Sequence, residues 1–395
     1  MNVLHQYKTE VEQELDNILA YWINHSIDQE KGGFYGKIDN NNIADIDAPK
    51  GLVLNARILW TFSAAMQMEP NEQYAAVAER AFAYILQHFY DKEFGGVYWQ
   101  VDAYGEPLNT RKQIYALAFC LYGLSEYYAA TKNSTALHLS IELFNVIEQH
   151  SYDAQYGGYF EAFARDWKPL YDLRLSAKDA NEKKTMNTHL HIIEAYSNLY
   201  KAWPDVQLKG KIIALLEIFD KYMIDAASSH LNLFFDEQWT VKPDVISYGH
   251  DIEAAWLLQE CAEIAGDEKW ISVMKKHAVK TAIAAADGLD TDGGLWYECE
   301  PAHHRLIKEK HWWPQAEAMV GFLNAWQLTG DATFLQQSFN NWLFTKQYII
   351  DHGKGEWFWG IDENHQIMQG QDKAGFWKCP YHNARACMEI VKRLV

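Results

Sequence analysis

Apolar residues recur along this chain with the spacing of an α-helix, and the helical stretches come in pairs. The periodicity predicts twelve helices. Their predicted ranges are 5–26, 51–68, 70–90, 111–131, 133–150, 185–203, 205–224, 247–266, 267–286, 310–329, 331–351 and 379–394. The even-numbered stretches are apolar or small on every side, whereas the odd-numbered ones carry charges on one face. A helix that is apolar all round is buried, so the pattern predicts six inner helices inside six amphipathic outer ones.

An aromatic turn follows each outer helix, in most cases as Gly-Gly-aromatic with an Asp just upstream. The six predicted turns begin at Gly32, Gly95, Gly157, Asn232, Gly293 and Gly355. Their starts lie 63, 62, 75, 61 and 62 residues apart, and the extra length before the fourth turn falls in the loop 161–185. Glycines supply the left-handed conformations that end a helix and reverse the chain. We expect short hairpin strands at each turn.

Six repeats of a helix pair predict one domain over residues 1–395, because no single pair can bury its apolar face alone. The fold class that we expect is all-α, a closed (α/α)6 barrel with short β-hairpin turns. An open α-solenoid is the alternative, and full repeats at both ends of the sequence favour closure.

The formal net charge of −18 at pH 7 argues against nucleic acid and against an anionic membrane, since both attract basic surfaces. The N-terminus has no charged segment followed by an apolar one, so no signal peptide is predicted. No apolar run reaches the ~18 residues of a membrane helix. The five cysteines have no paired spacing, which predicts reduced thiols in a cytoplasmic protein.

Polar and aromatic residues interrupt the apolar inner helices near their starts. They are Arg57, Arg111, Tyr115, Asn187, His189, His191, Tyr248, His250, Asp251, Glu253, Trp312, Trp313, Gln315, Glu317, Tyr381, His382, Asn383 and Arg385. Buried ionisable groups are unfavourable unless they are paired. Six such clusters at the same end of six inner helices therefore predict one polar cavity at one mouth of the barrel.

Several chemistries are open to such a cavity. His250 and Glu253 share a helix face, so we expect a hydrogen bond between them; a purely structural pair is the alternative. Four of the histidines could converge on a metal, but a His-x-His pair on a helix points its rings to different sides, and we predict no metal. A nucleophilic Cys379 beside His382 has neither an orienting Asn or Asp nor an oxyanion-hole signal. Without a dinucleotide fingerprint or a P-loop, no cofactor is predicted.

Aromatic rings together with Arg, Asn and Glu are typical of a sugar site. Two histidines on different inner helices suit the removal and return of a proton beside a carbonyl, because imidazole titrates near neutral pH. A sugar aldehyde makes its own C2 proton removable without a cofactor. A glycoside hydrolase using two carboxylates among Asp251, Glu253 and Glu317 is an alternative from another class, and a non-catalytic binding barrel is a second.

Four segments resemble the N-acylglucosamine 2-epimerase superfamily and, within it, the cellobiose 2-epimerases. They are 186–191, 247–254, 312–318 and 377–383. The resemblance implies an (α/α)6 barrel, in agreement with the repeat. It also implies a 2-epimerase that interconverts glucose and mannose at the reducing end of β-1,4-linked disaccharides such as cellobiose and lactose. An epimerase or aldose–ketose isomerase acting on free mannose and glucose is the alternative.

The resemblance implies roles for individual residues as well. His250 and His382 would act as acid and base on C2 from opposite faces, with Glu253 supporting His250. The residues expected to bind the sugar are Arg57, Tyr115, Asp179, Asn187, His191, Trp313, Glu317 and Trp377. Ring opening, deprotonation to a cis-enediol, rotation about C2–C3 and reprotonation make up the expected reaction. The expected partner is a small-molecule sugar, bound by a monomer or weak homodimer.

Overall fold

The computed structural model describes residues 3–242 and 245–394 and contains, within these ranges, twelve α-helices. They are α1 (Val3–His25), α2 (Leu52–Met68), α3 (Glu72–Tyr84), α4 (Ile114–Thr131), α5 (Ser134–His150), α6 (Met186–Ala202), α7 (Val206–Ile218), α8 (Tyr248–Ala265), α9 (Glu268–Ala285), α10 (Trp312–Thr329), α11 (Ala332–Phe344) and α12 (Tyr381–Arg393). Every predicted helix is present. Helices α3, α7 and α11 each continue into one π-helical turn, at Ile85–Phe89, Phe219–Met223 and Thr345–Ile349. None of the described helices has the length and apolar character needed to cross a membrane.

The even-numbered helices form a closed inner ring. Each packs against the next even-numbered helix, and α12 packs against α2. The odd-numbered helices lie outside this ring, with α1 beside α12. The inner helices are buried over most of their length, as in α2, where every residue from Leu52 to Ala65 is buried. The prediction of an all-α (α/α)6 barrel is confirmed, and the alternative of an open solenoid is wrong.

Short antiparallel strands join neighbouring units at one end of the barrel, which we call the mouth. The strands are β1 (Lys50–Gly51), β2 (Gln100–Val101), β3 (Pro107–Asn109), β4 (Lys112–Gln113), β5 (Ala162–Phe163), β6 (Lys184–Thr185), β7 (Phe234–Phe235), β8 (Ile246–Ser247), β9 (Glu298–Glu300), β10 (Arg305–Ile307), β11 (Lys310–His311) and β12 (Gly360–Ile361). They form the sheets β1-β2-β3 and β10-β9-β8 and the pairs β4-β5, β6-β7 and β11-β12. A bridge between Ile38 and Ala374 links the first unit to the last. Main-chain pairing therefore ties all six units together around the mouth.

An isolated antiparallel bridge closes each aromatic turn, as the hairpin prediction required. The bridged pairs are Ile27–Phe34, Tyr90–Val97, Tyr152–Tyr159, Ile224–Leu231, Leu289–Leu295 and Ile350–Trp357. The fourth turn accordingly begins at Ser229, and the predicted start at Asn232 is wrong. Ser229 adopts the left-handed φ of 64° that the first glycine supplies in the other units. Because this turn has no glycine, the sequence pattern placed it three residues too late.

In five units, a buried lysine just before the inner helix forms an ion pair with a carboxylate of the aromatic turn of the same unit. The pairs are Lys50–Asp28, Lys112–Asp91, Lys184–Asp153, Lys310–Asp290 and Lys378–Glu356, with Nζ 2.7–2.8 Å from a carboxylate oxygen. The fourth unit has Ile246 at the lysine position. There His230 of the turn contacts Asp251 of α8 instead, with Nδ1 2.7 Å from the carboxylate. The fourth unit is thus the one that departs from the shared ion pair.

Removing the carboxylate from such a pair should destabilise the barrel, because the ammonium group stays buried without its counter-charge. In Asp153→Ala, the fully buried Lys184 would keep the carbonyls of Gly157 and Glu237 as hydrogen-bond acceptors for Nζ, but no counter-charge. We expect the free energy of unfolding, measured by urea denaturation, to fall by about 3–5 kcal/mol. Asp225→Ala is the matched control: that carboxylate caps its turn in the same way but has no lysine, so a loss of about 1 kcal/mol is expected. Equal losses in the two variants would contradict a role for the ion pair.

Candidate active site

The starts of the inner helices surround a cavity of about 590 Å³ at the mouth of the barrel, where the polar clusters predicted one. Ten of the eleven predicted site residues line it, namely Arg57, Tyr115, Asp179, Asn187, His191, His250, Glu253, Trp313, Trp377 and His382. The eleventh, Glu317, lies behind His382. Its carboxylate is 2.6 Å from Nδ1 of that ring.

The position of a residue within the repeat separates structural polar groups from those that face the cavity. His189, five residues after Lys184, turns toward the aromatic turn of its unit, and its Nε2 accepts the N–H of Tyr159 at 2.9 Å. The equivalent contacts in the next two units are from Leu231 N–H to Asp251 and from Leu295 N–H to Gln315. These side chains hold the turns. His189 does not line the cavity, so the alternative of four convergent histidines is wrong.

Two residues further along each inner helix, six side chains form what we call the axial ring. Its members are Arg57, Phe119, His191, Glu253, Glu317 and Arg385. The Arg57 guanidinium lies 4.1 Å from the centre of the Phe119 ring, which lies 4.5 Å from that of His191. Behind the axial ring, the ring of Trp60 packs 5.2 Å from Tyr122 and 5.3 Å from Tyr381. Arg57, His191 and Glu253 of the axial ring form the floor of the cavity, and the other three members and these aromatic residues pack behind it.

His382 is held through one ring nitrogen and has the other available. The carboxylate of Glu317 can only accept, so Nδ1 of His382 carries the hydrogen of their 2.6 Å contact and Nε2 keeps its lone pair. Burial lowers the pKa of His382 to about 3, although Glu317 acts in the opposite direction. The ring is therefore a neutral imidazole at pH 7, able to accept a proton at Nε2.

His250 is held by a hydroxyl group and not by a carboxylate. Its Nδ1 lies 2.8 Å from Oγ of Ser247, a partner that sequence reasoning missed. Burial, assisted by the nearby His191, lowers the pKa of His250 to about 3. The predicted hydrogen bond from His250 to Glu253 is wrong. Glu253 lies one turn deeper, in the axial ring, where Arg385 donates to it at 2.8 Å.

The two carboxylates nearest His382 share one cation, the guanidinium of Arg385. Its Nη2 lies 2.8 Å from Glu253 and 2.7 Å from Glu317. Burial and the charge of Glu317 raise the pKa of Glu253 to about 8. Burial also acts to raise the pKa of Glu317, but Arg385 and His382 outweigh it and lower that pKa to about 2. Glu253, Glu317 and His382 each have one atom of a metal-ligating type, and these three atoms lie within 4.8 Å of one another. The guanidinium of Arg385 already supplies positive charge to both carboxylates.

Arg57 is a buried cation for which no carboxylate partner is found in the described ranges. Its Nη2 donates to the hydroxyl of Tyr115 at 2.7 Å, and its Nη1 lies 3.4 Å from the carbonyl of Trp377. The ring centres of Phe119 and Tyr381 lie 4.1 and 4.9 Å from the guanidinium carbon, which gives partial cation–π stabilisation. Because a buried charge is unfavourable without a partner, this group is suited to a ligand oxygen in the cavity.

Helix α6 contributes further polar groups. Oδ1 of Asn187 is buried and has no hydrogen-bond partner among the described residues, and Asn187 lines the cavity. Nδ1 of His191 lies 2.9 Å from Glu194, which leaves its Nε2 available. Glu161, which sequence reasoning missed, accepts the hydroxyl of Thr188 at 2.6 Å and so anchors the start of this helix. Burial raises the pKa of Glu161 to about 8.

Two tryptophans form walls of the cavity. The ring of Trp313 has its centre 4.7 Å from that of His250 and 5.7 Å from that of His382, so both imidazoles pack against it. Trp377 lies on the side of Tyr115, with ring centres 5.9 Å apart. Flat apolar surfaces beside hydrogen-bonding groups suit the C–H faces and hydroxyls of a sugar.

Two segments cover the mouth, the loop 170–182 and the hairpin β9–β10. Lys178 joins them, since its Nζ donates to the hydroxyl of Tyr297 at 2.7 Å. The carboxylate of Asp179 accepts the N–H and the hydroxyl of Ser176 at 2.8 and 2.9 Å, so it holds its own loop. The cavity-lining residues contributed by the hairpin region are Tyr297, Glu298, Glu300, Arg305, Ile307 and Glu309. The extra length of the loop 161–185 distinguishes the first segment in the sequence, whereas no feature of the sequence repeat marks the hairpin.

This arrangement can bind a neutral polyol and move a proton. It offers two neutral imidazoles against one aromatic wall. It also offers a guanidinium without a carboxylate partner and an amide oxygen without a hydrogen-bond partner among the described residues. The hypothesis of a thiol nucleophile fails, because Cys379 is fully buried and outside the cavity lining.

Comparison with known proteins assigns the chain to a family. The family model for N-acylglucosamine 2-epimerase (GlcNAc 2-epimerase) matches residues 32–386. A relative named cellobiose 2-epimerase, from Bacteroides fragilis, is 48% identical over 385 residues, 97% of this chain and 98% of the relative. The solved structure of cellobiose 2-epimerase from Bacillus thermoamylovorans B4167 is 38% identical with a TM-score of 0.93, covering 98% of this chain and 100% of that one. A D-mannose isomerase structure, 22% identical with a TM-score of 0.85 over 97% of both chains, shares the fold. The chain therefore belongs to the N-acylglucosamine 2-epimerase family of carbohydrate epimerases.

Proposed function

We propose that this protein is a cellobiose-type 2-epimerase, which interconverts glucose and mannose at the reducing end of a β-1,4-linked disaccharide such as cellobiose or lactose. The observation that carries the proposal is the pair of neutral imidazoles, His250 and His382, packed against Trp313 from two different inner helices. Inversion at C2 needs a base that removes a proton and an acid that returns one to the other face. Two imidazoles allow removal on one face of C2 and return on the other.

The reaction begins with opening of the reducing sugar ring. The aldehyde acidifies the C2 proton, and one imidazole removes it to give a cis-enediol. Arg57 is suited to hold the developing negative charge on the carbonyl oxygen, because its guanidinium has no other anion to neutralise among the described residues. Asn187 and His191 would hold neighbouring oxygens from α6. Rotation about C2–C3 then exposes the opposite face of C2, and the second imidazole returns a proton.

The size of the cavity and the named relatives favour a disaccharide. The cavity extends from the axial ring to the covering loop and hairpin, and Trp313 and Trp377 offer separate walls for two sugar rings. The relative that is 48% identical is named cellobiose 2-epimerase. The second candidate is epimerisation or isomerisation of free mannose and glucose. It is favoured by a D-mannose isomerase from Marinomonas mediterranea that is 25% identical over 404 residues.

A glycoside hydrolase would need two carboxylates poised across a glycosidic bond. Asp251 is outside the cavity lining, where it holds His230 and the fourth turn. Glu253 and Glu317 are both bound to Arg385, and Glu317 is behind His382. The three carboxylates that the sequence offered for a hydrolase therefore all have other partners in the structure, which favours the epimerase.

The test of this function follows the C2 proton in heavy water. Incubation with cellobiose should give glucosyl-mannose, with solvent deuterium at C2 of both epimers by NMR, because each imidazole exchanges its proton with solvent. Parallel incubations with lactose and mannose identify the preferred substrate, and a chelator arm tests for a metal requirement. Release of monosaccharides from cellobiose would instead indicate a hydrolase. Epimerisation without exchange at C2 would contradict the enediol mechanism.

The proposal also covers the domain organisation, oligomeric state, partners and compartment of the enzyme. We propose one catalytic domain that acts as a monomer or weak homodimer on a small sugar, without a cofactor. The acidic surface continues to argue against nucleic acid as a partner. The five cysteines are all free thiols, four of them buried, and a reducing cytoplasm is the compartment that we propose for them.

A further inference from the structure

Arg385 occupies an unusual position in the axial ring, between three buried carboxylates. Its Nη2 donates to Glu253 and Glu317 at 2.8 and 2.7 Å, and its Nη1 donates to Glu194. Its guanidinium carbon lies 4.9 Å from the centre of the Trp256 ring, which itself donates to Glu317. Arg385 is nearly fully buried but does not line the cavity, so it does not touch a bound sugar.

Two of these carboxylates, one on each side of the guanidinium, hold the imidazole rings of His191 and His382. Glu194 faces Nδ1 of His191 at 2.9 Å, and Glu317 faces Nδ1 of His382 at 2.6 Å. An ionised carboxylate only accepts hydrogen bonds, so both imidazoles carry their hydrogen on Nδ1 and have Nε2 free. The carboxylates stay ionised in this buried setting because a cation lies between them. Charge of Arg385 lowers the pKa of Glu194 and of Glu317 against the effect of burial.

We propose that Arg385 is a positioning residue for the reaction, which fixes His191 and His382 in the same tautomer through Glu194 and Glu317. The inference rests on the proposed function for its kinetic consequences. Loss of the guanidinium would leave Glu253, Glu317 and Glu194 as a cluster of buried acids. Glu253 already has a pKa of about 8, so the change would fall on Glu194 and Glu317: one of them would take up a proton and donate to a ring nitrogen instead of accepting. The Nε2 atoms would no longer be reliably free for the sugar.

The decisive variants are Arg385→Lys, which keeps the charge but loses the two-pronged donor, and Arg385→Met, which loses both. We expect kcat for the epimerisation of cellobiose to fall about 100-fold in Arg385→Met and about 10-fold in Arg385→Lys, with KM changed less than about threefold. Arg393→Met is the matched control on the same helix. Arg393 binds Glu389 and Asn324 away from the cavity, and kcat should stay within about twofold of wild type.

A merely structural role of Arg385 would leave the pH profile of kcat/KM unchanged. This profile therefore distinguishes a structural role from a positioning role. The charge of Arg385 lowers the pKa of Glu194 and of Glu317. In Arg385→Met these pKa values should rise, so the ionised carboxylates that fix the tautomers would be lost at a higher pH. The acidic limb of kcat/KM should therefore move to higher pH in Arg385→Met and stay in place in Arg385→Lys.

A second measurement is independent of the substrate. Nitrogen-15 NMR of labelled histidines should show Nδ1–H tautomers for His191 and His382 in the wild type and mixed tautomers in Arg385→Met. If wild-type protein fails to epimerise cellobiose, the proposed function is wrong, and these spectra still decide the role of Arg385. Unchanged tautomers in a folded Arg385→Met would overturn the inference. Should that variant fail to fold, Arg385→Lys decides: an unchanged kcat there would overturn it equally.

Discussion

Replacing His382 by asparagine is expected to lower kcat for epimerisation by about 1,000-fold or more, the usual range for loss of a positioned acid or base. The asparagine amide can still donate to Glu317, so the floor of the cavity should keep its hydrogen bonds and the fold its stability. His250→Asn should have an effect of the same order. Since both imidazoles are needed for one turnover, the double variant should be scarcely slower than either single one. Initial rates by chromatography of the two epimers, with circular dichroism for folding, provide the measurement.

His189→Asn is the matched control for this prediction. His189 is also a buried histidine on an inner helix, but it holds the third aromatic turn through Tyr159 and is outside the cavity. Its loss should reduce the melting temperature and leave kcat of the folded protein within about threefold of wild type. A His382→Asn variant that turns over at the wild-type rate would remove the two-imidazole mechanism. Unchanged sugar binding together with that rate would assign catalysis to other groups.

Arg57→Met is expected to change activity and stability in opposite directions. Without the guanidinium, the developing oxyanion loses its main positive partner, so kcat/KM should fall by about 100- to 1,000-fold. The folded protein, in contrast, should gain roughly 1–3 kcal/mol, because a buried charge without a carboxylate partner opposes folding in the absence of ligand. The cation–π contacts with Phe119 and Tyr381 and the hydrogen bond to Tyr115 reduce this gain without cancelling it. Kinetics and urea denaturation of the same preparation test both parts.

Lys184→Met provides the contrasting case of a buried cation that does have a partner. Its removal leaves Asp153 without the ammonium group 2.7 Å away, so this variant should lose stability and keep its activity. If Arg57→Met is destabilised to a similar extent, the guanidinium serves the fold, and its role in the cavity would have to be abandoned.

The architecture could be predicted from the sequence because burial leaves a strong local signal. Helices such as α2 are apolar on every side, and the aromatic turns share one residue pattern. The number of helices, their division into inner and outer helices and a polar cavity at the mouth were therefore all predictable. The fourth turn shows the limit of that signal, since Ser229 takes the place of a glycine and the pattern shifted by three residues. The lysine of each ion pair was a signal available in the sequence, at Lys50, Lys112, Lys184, Lys310 and Lys378, and it was missed.

The partners within the site could not be predicted in the same way. His250 and Glu253 are close in sequence, which suggested a pair, but the helix directs one toward Ser247 and the other toward Arg385 of α12. Which carboxylate reaches His382 depends on how the neighbouring inner helix α10 packs against α12, and this packing joins residues that are far apart in sequence. Residue types near the mouth were therefore predictable, whereas the assignment of Glu317 to His382 required the structure.

The aromatic layer behind the axial ring has a kinetic consequence. Trp60 packs against Tyr122 and Tyr381 there, and no described residue deeper than the axial ring lines the cavity, which opens at the mouth. Substrate and product differ at one stereocentre and occupy this same cavity. Accumulating epimer should therefore compete directly with fresh substrate, and progress curves should slow well before equilibrium is reached.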